Sequence, residues 1–183
     1  RSDRARAAAS HIIDWTSLQV GVVTLGERFG GTACDAMTFD RMTAHVQEQV
    51  HEFAEALADR TNGRPPNLQI LGTSGTITTL AGVHMGLQRY SRPAVDGYWF
   101  GYGDVSRVIG NLRTMTPEQR AAIPCVGEDR STHLMSGAAI LRAILRAWPV
   151  DRVRVADRGL REGMLYGLMQ ESREGRPGPR HRR

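Results

Sequence analysis

The sequence predicts an α/β domain in which a small sheet is flanked by helices, and three observations carry this prediction. Short β-branched, apolar segments alternate with longer segments whose apolar residues recur every three or four positions. Two of the short segments run directly into glycine-containing turns that open helices, an order typical of α/β layers. Only about three strands can be recognised, so we expect the sheet to be incomplete at its N-terminal edge.

The first third of the chain is predicted as strand, helix and strand. Residues 15–25 are rich in β-branched residues and predict a strand. Thr38 is placed to cap a long helix, which Asn62-Gly63 and two prolines end. Residues 67–71 predict a short second strand. The helix is indicated by apolar residues at spacings of three and four: Phe39, Met42, Val46, Val50, Phe53 and Leu57.

The middle of the chain contains several short elements. Residues 77–85 predict a helix, and residues 98–100 predict a short strand within a connector. Asp104 is a candidate cap for the next helix. Thr116 precedes a proline, which is favoured at the first helical position, so another helix is expected to begin there.

The C-terminal part is predicted as helix, strand and helix. Residues 124–130 predict a turn, and Leu134 to Trp148 form a strongly apolar helix that Pro149 ends. Residues 152–156 alternate basic and apolar side chains as a strand does. Leu160 to Met169 predict a closing helix.

The net charge of +5 is located at the two ends of the chain. Every basic residue is arginine, and residues 7–170 contain 16 Arg and 16 Asp plus Glu. The excess lies before residue 7 and in residues 171–183, which are predicted as a disordered basic tail. We therefore expect no DNA binding by the folded part, although a polyanion-attracting tail stays open.

The remaining composition is that of a soluble globular protein. The sequence contains no run of 18 apolar residues, the length expected of a membrane-spanning helix. The basic N-terminus is not followed by the apolar segment of a secretory signal. Cys34 and Cys125 are distant in sequence and have no paired metal-ligand spacing, so free thiols and a cytoplasmic location are expected.

The segment at residues 68–82, LQILGTSGTITTLAG, is the most informative one. Glycines let the backbone turn sharply, and the free N–H groups of a helix start favour an anion. The candidate binding residues in this turn are Gly72, Thr73, Ser74, Gly75 and Thr76. No GK[ST] motif is present, which excludes a P-loop NTPase. A tight turn capped by Thr76 is the structural alternative.

A second strand-to-helix junction lies at residues 155–165, VADRGLREGML. The planar guanidinium group of Arg161 can donate two hydrogen bonds to a phosphate, or it can pair with Asp157 or Glu162 and stabilise the turn. Two such turns on one sheet are expected to meet at the edge where open α/β sheets bind ligands. Arg130, which precedes the long apolar helix, is a third candidate for reaching this cleft.

These segments together resemble the exopolyphosphatase and guanosine pentaphosphate phosphohydrolase family, in the superfamily of sugar kinases, actin and heat-shock chaperones. The matching stretches cover nearly all of residues 15–170, and the pairing of GTSGTITTLAG with RVADRGLREG is the most specific. The resemblance implies a ribonuclease-H-like, actin-like ATPase fold of two domains. This chain corresponds to the second domain, with residues 1–14 as a remnant or linker.

The resemblance also implies what lies outside this chain. The family's catalytic glutamate, its first phosphate loop and the ligands of its Mg²⁺ are expected in the first domain. We expect no catalytic residue and no metal ligand here, so the chain alone should be inactive. A basic residue at position 130 matches a family position for contacts to the guanosine or polyphosphate end. In the family a small and then an acidic residue usually follow this position, whereas this chain has Ser131-Thr132-His133.

The expected function is release of terminal phosphate from polyphosphate or guanosine pentaphosphate, with guanosine tetraphosphate as a further ligand. The alternative is a non-catalytic nucleotide-binding or sensing module of the same fold. The first domain is the expected partner of this chain. Without that domain, an exposed apolar face on this chain would favour a homodimer.

Overall fold

A computed structural model describes residues 14–30, 34–63, 68–159, 161–165 and 168–169. In these ranges the helices are α1 (Val22–Arg28), α2 (Ala36–Arg60), α3 (Gly75–His84), α4 (Arg92–Val95), α5 (Tyr102–Arg113), α6 (Pro117–Ala121) and α7 (Gly127–Ala147), and the strands are β1 (Ile70–Gly72), β2 (Trp99–Gly101) and β3 (Arg152–Val155). Residues 161–165 and 168–169 are also helical. The protein is therefore a mixed α/β domain with a small sheet flanked by helices, as predicted.

The sheet has the order β1–β3–β2. β1 runs parallel to β3, with Gly72 opposite Val155. β2 runs antiparallel to β3, with Phe100 opposite Val153. Val153, Val155 and Phe100 are fully buried, so the central strand and its antiparallel neighbour anchor the sheet in the core.

Helices α2 and α7 form the largest helix–helix contact of the described chain. On α2, Phe39, Met42, Val46 and Val50 are buried at spacings of three and four, which is the amphipathic stripe that the sequence predicts. The helix begins one turn earlier than predicted, because the side chain of Asp35, and not Thr38, caps it by accepting a hydrogen bond from Thr38 N.

Small residues at the contacts of α7 with α1 and α3 let these helices approach each other closely. A Cβ atom built on Gly26 of α1 would lie 3.2 Å from Ser136 Oγ. A Cβ atom built on Gly137 would lie 2.1 Å from Thr76 Oγ1 at the start of α3. Contacts under 3 Å do not occur for a real Cβ, so Gly137 is required for the observed seating of α3.

The predicted strand over residues 15–25 is wrong. Residues 14–21 have no regular structure, and the following segment forms helix α1. The β-branched residues here express only a weak and context-dependent preference for strand. Burial of Leu25 and Gly26 in a helix that packs on α7 overrides that preference.

Other helix starts agree with the sequence or lie a few residues away. α3 begins at Gly75, inside the predicted glycine turn, and Ser74 caps it, whereas Thr76, the cap in the structural alternative, lies in its first turn. α5 begins at Tyr102 after Gly101, so Asp104 lies in its first turn and not at its cap. α7 begins at Gly127 inside the predicted turn. The start of α6 is confirmed, since Thr116 and Gln119 form a reciprocal capping box with Pro117 at the first position.

Several predictions fall outside the described residues. These are most of the linker assigned to residues 1–14, the basic tail at 171–183, and parts of the closing helix at residues 160, 166–167 and 170. In the described part of the chain, no helix is both long enough and apolar enough to cross a membrane.

Candidate anion-binding cleft

Both glycine-containing turns lie at the same edge of the sheet. β1 and β3 are parallel neighbours, so their C-terminal ends point the same way, as the sequence predicts. The amide of Ala156, just after β3, donates to the carbonyl oxygen of Gly72 at 2.8 Å. The two strand ends are therefore held side by side.

The first turn presents the N-terminus of α3 to solvent. Ser74, the cap of this helix, accepts a hydrogen bond from Ile77 N at 3.4 Å. The first N–H groups of a helix have no partner inside the helix, and in the described part of the chain those of Gly75 and Thr76 have no acceptor elsewhere. Both residues lie beside exposed Ser74, an arrangement that favours binding of an anion.

The next turn of α3 is stabilised by its own hydroxyl groups. Thr78 and Thr79 are buried and donate hydrogen bonds to the carbonyl oxygen of Gly75 at 3.0 and 2.7 Å. These bonds satisfy the hydroxyl groups within the helix. The first turn of α3 is therefore held in place without a ligand, and only the N–H groups at its start remain for a ligand to bind.

Arg130 is brought to this helix start from the first turn of α7. Its guanidinium lies 4.3 Å from the ring centre of Tyr90, a cation–π distance. Its Nη1 also lies 3.5 Å from Thr79 Oγ1. The Tyr90 hydroxyl in turn donates to Asp157 Oδ2 at 2.7 Å, and burial together with this bond raises the pKa of Tyr90. Tyr90 thus stays a neutral platform for Arg130.

These residues surround a cleft of about 350 Å³. The cleft is lined by Val22, Ser74, Gly75, Thr76, Thr79, Asp129, Arg130, His133 and Leu134. The volume suits a small phosphorylated ligand. Of the seven predicted binding residues, the structure thus brings Ser74, Gly75, Thr76 and Arg130 together.

The other three predicted residues are placed differently. Gly72 lies behind the cleft, where a Cβ atom would come within 3.1 Å of Ile77. Thr73 is exposed and is not part of the lining. Arg161 is exposed in the helical segment after β3 and does not line the cleft.

The second turn makes its polar contacts within the protein. Asp157 N donates to Asp96 Oδ1 at 3.0 Å, and Gly159 N donates to Glu162 Oε2 at 2.8 Å. Arg92 pairs with the Asp157 carboxylate at 3.3 Å. The Gly159 amide is the main cause of the lowered pKa of Glu162. Asp157 and Glu162 therefore stabilise the turn. Within the described ranges Arg161 forms no ion pair with either of them, the alternative left open by the sequence, although its charge contributes to the lowered pKa of Glu162.

The described residues do not assemble a metal site. No group of three or more His, Cys, Asp and Glu side chains within the described ranges could hold a metal ion. The cleft itself contains one carboxylate, that of Asp129, and one imidazole, that of His133. This donor set does not fit the oxygen-rich coordination that Mg²⁺ requires.

Sequence reasoning missed Thr79, Tyr90 and Val22. Thr79 follows the glycine turn by one helical turn, so its proximity to the helix start was readable from the spacing alone. Tyr90 and Val22 carry no such signal, because packing of distant segments places Val22 in the cleft lining and Tyr90 under Arg130.

Comparison with known proteins assigns the chain to a family. The model of the Ppx/GppA phosphatase family matches residues 6–172. The chain belongs to this family. The resemblance inferred from the two glycine-containing turns is thereby confirmed.

Curated members of the Ppx/GppA family are distant in sequence and longer. Exopolyphosphatase 1 of Mycobacterium tuberculosis is 26% identical over 124 residues, which are 68% of this chain and 36% of that protein. The guanosine-5′-triphosphate,3′-diphosphate pyrophosphatase of Aeromonas hydrophila is 27% identical over 157 residues, which are 84% of this chain and 29% of that protein. The chain thus spans about a third of the length of these relatives.

Solved Ppx/GppA structures have the same fold. The family member from Aquifex aeolicus matches with a TM-score of 0.70 and 25% identity, over 88% of this chain and 50% of its own. An exopolyphosphatase from Cytophaga hutchinsonii matches in fold with a TM-score of 0.74 and 22% identity, over 88% and 51%. The chain spans about half of each solved structure.

Proposed function

We propose that this chain is the second domain of an actin-like, two-domain phosphoanhydride hydrolase. The enzyme would release terminal phosphate from polyphosphate or from guanosine pentaphosphate. The observation that carries the proposal is the meeting of Arg130 with the α3 N-terminus at one cleft. Membership of the Ppx/GppA family supports the reaction class. The chain matches only 50% of the solved Aquifex aeolicus structure, which supports a further domain in the enzyme.

The cleft would act by positioning phosphate groups. The N–H groups of Gly75 and Thr76 would contact phosphate oxygens along the axis of α3, where the helix dipole also favours negative charge. The Arg130 fork, stacked on Tyr90, would bind the same group from the side. Phosphoryl transfer depends mainly on such positioning and on neutralising charge.

The chemical step would require groups that this cleft does not provide. We expect the catalytic glutamate that activates water, and the ligands of Mg²⁺, in the part of the enzyme that this chain does not span. In our proposal, this chain supplies one wall of the substrate site. It would be inactive alone, because loss of one preorganised donor already costs about 3 kcal/mol of transition-state stabilisation.

The test is phosphate release from polyphosphate and from guanosine pentaphosphate with Mg²⁺. The protein with both domains should turn over, whereas this chain alone should stay far below about 10 per second. Turnover by the chain alone at that rate would contradict the assignment of the base to another domain. Which substrate is released faster would decide between the two activities.

A non-catalytic binding or sensing module is the second candidate. It is favoured by one observation: the described cleft provides phosphate-binding donors, while its titratable groups other than Arg130 are only Asp129 and His133. A two-domain protein that binds guanosine tetraphosphate but releases no phosphate from either substrate would support this alternative.

A further inference from the structure

A second pocket lies along α7, away from the anion-binding cleft. It has a volume of about 290 Å³ and is lined by Tyr102, Val105, Ser106, Ile109, Gly110, Arg113, Arg142, Leu145 and Arg146. None of these residues lines the cleft. Arg130 and Arg142 are twelve residues apart on the same helix, so the two sites are separated by about 18 Å along its axis. We call this site the arginine pocket, defined by Arg113, Arg142 and Arg146.

Three positive charges converge here from two helices. Arg142 and Arg146 are four residues apart on α7, a spacing at which like charges repel each other. Arg113 approaches from the end of α5. Burial, and then the neighbouring Arg146 and Arg113, lower the pKa of the Arg142 guanidinium. Such a cluster is unfavourable unless negative charge compensates it.

The compensation within the protein is incomplete. Arg113 pairs with Asp40 at 2.8 Å, and Arg146 donates to the neutral amide of Gln47 at 2.8 Å. Arg142 lies 5.6 Å from the centre of the Phe39 ring and has no hydrogen bond or ion pair within the described ranges. One carboxylate therefore faces three guanidinium groups.

Unsatisfied donors reinforce the charge argument. Arg113 Nε is buried and has no hydrogen-bond partner among the described residues. Buried Arg120 provides a contrast, since its Nη1 lies 3.2 Å from the carbonyl oxygen of Leu112. An unsatisfied buried donor is costly. A ligand in the pocket would not reach this buried atom, but phosphate oxygens accept several hydrogen bonds at once and would satisfy the N–H groups of Arg142, which have no acceptor within the described ranges.

We propose that the arginine pocket binds a short oligophosphate group, separately from the cleft at the start of α3. The pocket volume lies at the lower limit for ligand sites, which favours a phosphate chain over a whole nucleotide. Tyr102 and Ser106 also line the pocket, and their hydroxyl groups would add neutral donors. The leucine and valine walls would exclude competing water.

The experiment is calorimetric titration of the full chain with tripolyphosphate at fixed low salt. All variants also carry Arg130→Gln, which weakens binding at the anion-binding cleft. The binding that remains then reports on the arginine pocket, so the proposed function and the proposed pocket can fail separately. Adding Arg142→Gln and Arg146→Gln should weaken binding by at least about tenfold. The charge-matched control combines Arg28→Gln and Arg158→Gln, which also removes two charges, at exposed positions outside both sites. It should change binding less than twofold. Equal weakening by the two sets would overturn the proposal.

A second variant keeps the test valid if the arginine substitutions unfold the protein. Ser106→Glu retains all three arginines and adds a carboxylate at an exposed position on α5. It should compete with the ligand and weaken tripolyphosphate binding by at least about tenfold. Unchanged binding by Ser106→Glu would overturn the proposal.

Titration with guanosine triphosphate distinguishes the source of the phosphate chain. If guanosine triphosphate binds no more tightly than tripolyphosphate, the ligand of the arginine pocket is an inorganic phosphate chain. If guanosine triphosphate binds more tightly, and this binding is lost with Arg142→Gln and Arg146→Gln, the ligand is the phosphate chain of a nucleotide. Binding of either compound that is insensitive to the arginine and Ser106 substitutions would refute the site.

Discussion

The turns after β1 and β3 both contain glycine but differ in their use of polar groups. Both follow parallel neighbouring strands and both precede a helical segment. After β1, the N–H groups of Gly75 and Thr76 remain available beside a cleft. After β3, Asp96 and Glu162 accept the amides of Asp157 and Gly159.

The difference shows that a glycine-containing turn at a sheet edge is not sufficient for a binding site. What matters is whether neighbouring side chains already satisfy its donors. Acidic side chains take that role after β3. After β1, the helix is capped by the side chain of Ser74, a neutral residue that accepts one bond.

Gly137→Ala should have the largest effect. The added Cβ would lie 2.1 Å from Oγ1 and 2.9 Å from Cβ of Thr76, a β-branched side chain with little rotamer freedom in a helix. We expect the free energy of unfolding to fall by about 1–3 kcal/mol, because overpacking outweighs the gain in helix propensity. Urea denaturation measures this.

The matched control for that substitution is Gly110→Ala on α5, where a Cβ would meet nothing within 4 Å. It should leave stability unchanged or raise it by about 1 kcal/mol. Equal destabilisation by both substitutions would show that the close approach of α3 to α7 is not what Gly137 permits.

Arg130→Gln tests the cleft directly against the second turn. It should weaken binding of guanosine pentaphosphate to the two-domain protein by about tenfold, because one charged hydrogen-bonding group is lost. Arg158→Gln removes an exposed charge at the second turn, which lies 3.7 Å from Asp96, and should leave affinity within twofold. Affinity loss at Arg158 alone, measured by calorimetry, would reverse the assignment of the two turns.

Thr79→Val should have a smaller effect. The substitution keeps the side-chain shape but removes the bond to the Gly75 carbonyl and the contact with Arg130. We expect a loss of about 1 kcal/mol in unfolding free energy and a modest loss of affinity. Thr79→Ser keeps the hydroxyl group and should restore affinity, which separates the hydrogen bond from packing.

Glu162→Gln should have the smallest effect and should depend on pH. The folded-state pKa of Glu162 lies below its ordinary value of 4.5 because Gly159 N donates to the carboxylate. Its contribution to stability is therefore present above pH 4.5 and is lost as the pH falls through the lowered pKa. The variant should be slightly less stable than the wild type at pH 7 and equal to it at pH 2. Thermal unfolding at the two pH values checks this, and ligand affinity should not change.

Much of the architecture could be predicted from sequence where local signals agree with burial. The stripe on α2, the capping box at Thr116 and strand β3 follow from spacing and residue type, and the structure contains all three. The strand predicted over residues 15–25 failed because α1 is stabilised by packing against α7, which no local pattern reports.

The sequence alone determined the fold class, the family and the turn that begins the cleft, because these depend on motifs that are continuous along the chain. Only the tertiary structure decided which donors stay available. Arg130 meets Tyr90 and the α3 N-terminus from a distant segment, while Arg113, Arg142 and Arg146 converge from two helices. Charges that are distant in sequence interact only after packing has brought them within a few ångströms of each other, so their function could not be derived from spacing.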